Sequence, residues 1–240
     1  MPNNQDFIKQ EKGIIIAADV SSLHDLRPIV EICKYVPEVV AIKIGFSLAL
    51  RYGLPAIVES VNKYSNIPVI YDHQKAATDI PQMGKPFAEL CHDAGVKGVI
   101  FFPLSGPKTL EGFVHAAIES ELEPIVGLVM THPSFLQSEG GFITDTAPDS
   151  ICSMAVAMGV RSFVLPGTKT DIVSKFAQGE LARVESATIM MPGIGSQGGA
   201  LTAAFNAAKP HRRLAIIGSA IYNAHDPKAA LDAFAAESRQ

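Results

Sequence analysis

Five charged residues lie within or close behind apolar segments in the first third of the chain. Asp19, Lys43 and Asp72 end or interrupt apolar runs, and Lys75 and Asp79 follow closely. Burying such charges is costly unless they are paired. Alternating lysines and carboxylates can keep a lysine charged as a proton donor, and can hold negative charge beside a substrate group that must leave. The pattern indicates acid–base chemistry, with a structural ion-pair network as the alternative.

Two glycine-bearing segments near the C-terminus favour phosphate binding. Residues 192–199 read PGIGSQGG, and the sequence Gly218-Ser219-Ala220 follows a later apolar run. Glycine allows the backbone to approach a ligand closely, and backbone N–H groups at a helix start bind phosphate well. Either segment alone could be a tight turn with a helix cap, but the two together favour a phosphate site.

Eight short apolar runs, separated by segments of helical periodicity such as Leu48–Tyr64, recur at a fairly regular spacing. The runs are Ile14–Asp19, Val39–Ile44, Ile67–Asp72, Val96–Phe102, Pro124–Met130, Arg161–Pro166, Ala187–Pro192 and Arg213–Gly218. Such runs are typical of strands buried on both faces of a parallel sheet. The alternation predicts a (β/α)8 TIM barrel, an α/β fold, as a single domain over residues 1–240 with a polar extension at 1–12. An open doubly wound sheet is the alternative, but its G-x-G-x-x-G turn is missing after the first run.

The predicted barrel brings the chemistry-bearing residues to one face. Active sites of such barrels lie at the carboxyl ends of the strands, where the first three strands would place the charged residues. The loops after strands seven and eight frequently bind phosphate, and the glycine segments occur there. One connection, Thr131–Pro148, is long enough to predict a lid or binding loop.

Composition excludes several classes of partner. The chain has 240 residues and a net charge of −4, which disfavours a nucleic acid polymer. It has neither an apolar run of membrane-spanning length nor the apolar core of a signal peptide at its start. Cys33, Cys91 and Cys152 lack metal-ligand or redox spacing. We therefore expect a cytoplasmic protein with buried free thiols, a small-molecule substrate and no membrane partner.

A metal centre is not expected from these residues. Asp72, His73 and His132 could each be a ligand, but Lys43 and Lys75 would oppose a divalent cation in the same site. The prediction is a site without a metal.

These residues together resemble the orotidine 5′-phosphate decarboxylase family over nearly the whole chain. The most specific pieces are the block Asp72…Lys75…Asp79-Ile80-Pro81 and the loop at 192–199. Asp19, Lys43 and the sequence Thr131-His132-Pro133 also match. The resemblance implies cofactor-independent decarboxylation of orotidine 5′-phosphate to uridine 5′-phosphate, a step of de novo pyrimidine biosynthesis.

The resemblance also implies a role for each matched residue. Lys43 would contact the ribose and order Asp72 near the substrate carboxylate. Lys75 would donate the proton to C6 of the pyrimidine, and Asp79 would reach the partner's site across a homodimer interface. The other residues implied in substrate binding are Asp19, Ile80, Thr131, Pro192, Gln197, Gly198, Gly218 and Ser219.

The sequence departs from the family pattern in three places. The family usually spaces its block as Asp-x-Lys-x-x-Asp, and each gap between Asp72, Lys75 and Asp79 is one residue longer. Residues three apart on a strand face opposite sides, so the third strand must bulge or end early to aim the lysine. Ser219 replaces an arginine, which leaves phosphate to backbone groups. Met83 replaces a threonine.

Two other functions are weighed against this one. A Mg²⁺-dependent sugar-phosphate decarboxylase or aldolase of the 3-keto-gulonate 6-phosphate type uses a similar block, although Asp79-Ile80-Pro81 and Gln197 disfavour it. Sensitivity to EDTA would indicate that enzyme. A non-catalytic barrel that binds nucleotide phosphates is the third possibility, and tight uridine phosphate binding without decarboxylation would indicate it.

Overall fold

Eight parallel strands close into one barrel in chain order, with β8 paired to β1. The structure is a computed structural model that describes residues 8–72, 79–195 and 201–240. The strands are β1 Lys12–Ala17, β2 Val39–Ile44, β3 Val69–Asp72, β4 Gly98–Phe101, β5 Glu123–Gly127, β6 Ser162–Val164, β7 Thr188–Met191 and β8 Arg212–Ile217. The predicted single-domain (β/α)8 TIM barrel is confirmed.

Helices follow the strands and cover the outside of the barrel. They are α1 Leu23–Cys33, α2 Phe46–Tyr52, α3 Leu54–Asn62, α4 Gly84–Asp93, α5 Pro107–Glu119, α6 Ala147–Ala157, α7 Thr170–Gln178, α8 Leu201–Ala207, α9 Ser219–Tyr222 and α10 Pro227–Ser238. None of the helices in the described ranges is long and apolar enough to cross a membrane. The three cysteines are buried and free, as predicted.

Two boundaries differ from the prediction. Leu48–Tyr64 is two helices rather than one, because the chain turns at Gly53 with φ at +74°, a conformation that glycine adopts without strain. The polar extension is shorter than residues 1–12, because Lys12 already belongs to β1. Ile8, only 4% exposed, packs among the side chains that fill the barrel. The amino end of the barrel is therefore partly closed by residues before β1.

Alternation along the strands decides which side chains enter the barrel. A cluster inside the barrel contains Ala17, Ala41 and Ile70, from the first three strands. Since side chains alternate between the two faces of a strand, Lys43 and Asp72 are the next inward positions after Ala41 and Ile70. Both therefore point into the barrel at its carboxyl end.

Candidate active site

A buried lysine between two carboxylates forms the centre of the candidate site. Lys43 on β2 is 7% exposed. Its Nζ lies 2.9 Å from Asp72 Oδ2 on β3 and 3.3 Å from Asp19 Oδ1, two residues after β1. The backbone N–H of Ala18 donates to the Lys43 carbonyl at 2.9 Å, which ties the end of β1 to β2. Three of the five predicted charges thus meet at one place.

The two carboxylates keep Lys43 charged. Burial by itself would lower the pKa of Lys43, because removal from water penalises the ammonium form. The nearby charges of Asp72 and Asp19 outweigh burial and raise this pKa above its ordinary value of 10.5. Lys43 is therefore a fixed cation at neutral pH.

One carboxylate oxygen of Asp72 has no hydrogen-bond partner among the described residues. This oxygen, Oδ1, is buried. A buried acceptor left in this way costs about 1–3 kcal/mol, so structural ion-pair networks usually satisfy both oxygens. Among the described residues, Asp72 therefore has one carboxylate oxygen left over for a further donor.

Gly45 is a site residue that sequence reasoning missed. A Cβ at Gly45, directly after β2, would lie 2.7 Å from Asp19 Oδ1, so any side chain here would displace that carboxylate. The only sequence signal is the glycine two residues after Lys43.

The predicted block after β3 is only partly described. Lys75 falls within residues 73–78, which are outside the described ranges, and β3 ends at Asp72. Asp79 and Ile80 are exposed beyond that gap. Within the described ranges Asp79 does not join the Lys43 cluster, and its Oδ1 accepts a hydrogen bond from the Ile80 backbone N–H at 2.7 Å.

The two glycine segments lie side by side. Pro192 follows β7, and Gly218 and Ser219 follow β8, which pairs with β7. A Cβ at Gly195 would come within 2.9 Å of the Ala220 methyl group, so the two loops touch. Gln197 and Gly198 fall at 196–200, outside the described residues.

The long loop after β5 carries Thr131 at the same end of the barrel. Lys169, in the loop after β6, pairs with Glu139 at 2.5 Å, and the Phe135 N–H donates to the other oxygen of Glu139 at 3.2 Å. The hydrogen bond from Lys169 is the main cause that lowers the pKa of Glu139. The loop is therefore bonded both internally and to its neighbour.

A groove of about 640 Å³ opens beside Asp19, between α1 and the start of α10. Tyr222 on α9 lines it together with Asp19. Burial, and then the charge of Asp19, raise the pKa of the Tyr222 phenol, which stays protonated as a possible donor. Sequence reasoning had no signal for Tyr222.

A parallel barrel with paired charges and glycine loops at the carboxyl ends of its strands defines a (β/α)8-barrel enzyme. The model of the Orotidine 5′-phosphate decarboxylase / HUMPS family matches residues 12–234. The chain therefore belongs to this family, which confirms the resemblance found in the residues.

Individual relatives agree with this assignment. The chain is 30% identical over 223 residues to an orotidine 5′-phosphate decarboxylase of Methanococcoides burtonii, covering 92% of this chain and 94% of the relative. It is also 30% identical over 224 residues to the Thermoplasma acidophilum protein of the same name, covering 93% and 94%. A crystal structure of the Pyrococcus horikoshii decarboxylase aligns with a TM-score of 0.77 at 27% identity, over 95% of this chain and 100% of that one.

Proposed function

We propose that this chain is a lyase that decarboxylates orotidine 5′-phosphate to uridine 5′-phosphate in pyrimidine biosynthesis. The observation that carries the proposal is the buried Lys43 between Asp72 and Asp19, in a chain of this family. Oδ1 of Asp72, which has no hydrogen-bond partner among the described residues, supports an electrostatic role for this carboxylate.

The proposed reaction breaks one carbon–carbon bond and makes one carbon–hydrogen bond. The bond from C6 to the carboxylate breaks, CO₂ leaves and the electron pair stays on C6. The Lys75 ammonium stabilises this carbanion and transfers a proton to C6, after which the neutral amine regains a proton from water. Asp72, held by Lys43, places negative charge near the leaving carboxylate. No step requires a cofactor.

Substrate binding is assigned to residues at the rim of the barrel. Asp19 binds a ribose hydroxyl, and Thr131 and Ile80 lie along the pyrimidine. The phosphate is held by Gln197, Gly198, Gly218 and Ser219, mainly through backbone N–H groups. Pro192, which has no N–H, binds the substrate through contact with its ring. The contact between the loops after β7 and β8 supports a joint phosphate site. Binding energy from the phosphate can then drive loop closure over the reacting group.

A homodimer is proposed from an exposed apolar surface beside the site. This surface comprises Phe46, Leu50, Ile80, Met83 and Leu104, which are 42–79% exposed and follow the neighbouring strands β2, β3 and β4. Exposed apolar residues that follow neighbouring strands can form one interaction surface. A second copy would cover them, and Asp79, next to Ile80, would then enter the partner's site.

Turnover of the purified protein tests the proposal. Orotidine 5′-phosphate should lose its near-ultraviolet absorbance as uridine 5′-phosphate forms, with or without EDTA. Lys75→Ala should abolish turnover and keep ligand binding, whereas Lys34→Ala, on the exposed surface of the barrel, should match the unaltered protein.

Three outcomes would contradict the proposal. Uridine phosphate binding without turnover would indicate a binding protein. Activity that EDTA removes and Mg²⁺ restores would indicate the sugar-phosphate enzyme. A monomer at all concentrations, by sedimentation, would remove the shared site. We also place the protein in the cytoplasm, which fractionation tests.

A further inference from the structure

A buried hydroxyl on α5 contacts the backbone of Asp79. Thr109 is 3% exposed, and its Oγ1 donates to the Asp79 carbonyl oxygen at 2.9 Å across 30 residues of sequence. The Asp79 side chain is itself exposed. The Thr109 hydroxyl thus holds the main chain of Asp79, while the Asp79 carboxylate itself faces outward.

The same segment lies directly against α5 at a second place. A Cβ at Gly112 of α5 would lie 2.7 Å from the Pro81 carbonyl oxygen, and a Cβ at Gly84 would lie 2.7 Å from the Gly112 carbonyl oxygen. No side chain fits between the two backbones. Residues 79–84 are therefore fixed to α5 at Asp79 by a hydrogen bond and at Pro81 and Gly84 by close contact.

The hydroxyl of Thr109 has no comparable task within its own helix. Threonine in a helix commonly bonds to the carbonyl four residues earlier, but Thr109 lies in the first turn of α5 and bonds across to another segment. The cap of α5 is Gly106, which supplies no side-chain bond. The hydroxyl therefore acts between elements rather than within one.

We propose that Thr109 is a positioning residue that sets the backbone of Asp79 so that its carboxylate reaches the partner's site. The inference rests on the proposed function, because that function is what gives Asp79 a task in the partner. A misplacement of about 1 Å in a catalytic array can cost on the order of 10²-fold in rate. Loss of one anchoring bond should therefore affect turnover more than folding.

The decisive variant is Thr109→Val, which keeps the branched shape and removes the donor. We expect kcat to fall at least about tenfold with little change in KM, and Thr109→Ser to restore it. In an Asp79→Ala background the same change should have no further effect on kcat, because the two residues act through one group. Ser174→Ala is the matched control, since that hydroxyl on α7 donates to the carbonyl of Ala207 at the end of α8, away from residues 79–84.

Amide hydrogen exchange decides the inference independently of activity. A peptide covering residues 79–84 should exchange faster in Thr109→Val and return to the original rate in Thr109→Ser. An unchanged exchange rate, or an equal loss of kcat with and without Asp79, would overturn the inference. Absent turnover in the unaltered protein would count against the proposed function alone, because the exchange measurement still decides the role of Thr109.

Discussion

The two ends of the barrel each bury a basic side chain, and the surroundings of the two differ. At the carboxyl end, Lys43 lies between the carboxylates of Asp72 and Asp19. At the amino end, Arg213 on β8 is 4% exposed and donates at 2.8 Å to the His211 carbonyl and to Glu11. Among the described residues, Lys43 has two charged partners and Arg213 has one.

The acidic partners of the two cations differ in how exposed they are. The Glu11 side chain is 70% exposed, so it can be hydrated without Arg213, and the pair joins β8 to residues before β1. The Asp72 side chain is 10% exposed, depends on Lys43 and still keeps one oxygen without a described partner. Arg213 Nε also lacks a described partner, so the two ends differ in the exposure of the acidic partner rather than in satisfied polar atoms. The amino end uses its buried cation to join β8 to the residues before β1, whereas the carboxyl end holds a buried carboxylate in place through Lys43.

Removal of the lysine at the carboxyl end should have the largest effect. Lys43→Met leaves Asp72 as a buried carboxylate without its cation, which should cost about 3–5 kcal/mol in the free energy of unfolding. Turnover should fall by at least about 10²–10³-fold, since a preorganised electrostatic group is lost. Urea denaturation and absorbance assays measure the two effects.

A double variant separates stability from catalysis at this end. Lys43→Met with Asp72→Leu replaces the pair by apolar side chains and should recover much of the lost stability. It should recover no activity. Recovery of turnover would show that the buried pair is structural, like the pair at the amino end.

Removal of the arginine at the amino end should affect stability alone. Arg213→Met loses two hydrogen bonds but leaves Glu11 in water, so we expect a loss of about 1–3 kcal/mol. The value of kcat should change by less than about twofold, because the active sites of such barrels lie at the opposite end. If kcat of Arg213→Met fell by more than its folded fraction, the amino end would also contribute to catalysis, which would contradict the difference between the two ends.

Two glycines offer a matched test with similar steric clashes. A Cβ at Gly13 would lie 2.7 Å from Val40 Cγ1 at the amino end, and one at Gly45 would lie 2.7 Å from Asp19 Oδ1. Gly13→Ala should cost about 1–3 kcal/mol by overpacking and leave KM unchanged. Gly45→Ala should raise KM about tenfold with a smaller stability loss, because a half-exposed carboxylate can move into water. Melting temperatures and KM values, measured together, should show opposite patterns.

The pH dependence of stability should show the smallest effect. The pKa of Lys43 is raised by folding, so its contribution is complete below about pH 10.5 and is lost as pH rises through the higher folded value. The stability difference between the unaltered protein and Lys43→Met should therefore narrow toward pH 11. Burial raises the pKa of the cysteine thiols to about 12 in both proteins, so their effect cancels in the difference. A constant difference between pH 8 and pH 11 would contradict the ion pair.

Much of the fold could be predicted from the sequence, because strands and helices depend on the hydrophobic pattern of short segments. Each of the eight apolar runs contains most or all of one strand, since a strand buried on both faces needs apolar residues at nearly every position. The bounds of β2 agree with the prediction at both ends. The break at Gly53 was missed because the apolar periodicity continues across it, and one backbone angle decides it.

Several charged site residues could also be predicted from the sequence, because a charge at the end of a buried apolar run is costly unless it is paired. Asp19, Lys43 and Asp72 were predicted to meet, and they do. The roles assigned to the site residues remain predictions, and Lys75, Gln197 and Gly198 also lie outside the described ranges.

The sequence by itself determined the barrel, its family and the end of the strands at which the chemistry lies, because hydrophobic runs and charges at their ends are properties of short segments. Only the tertiary structure decided which groups touch. Arg213 meets Glu11 across 202 residues, and Thr109 meets Asp79 across 30. The Asp19 carboxylate lies where a side chain at position 45 would be, and the closed barrel is what brings Asp19 to Gly45. Such contacts depend on how elements that are far apart in the sequence pack together, and the pattern of a short segment does not predict that packing.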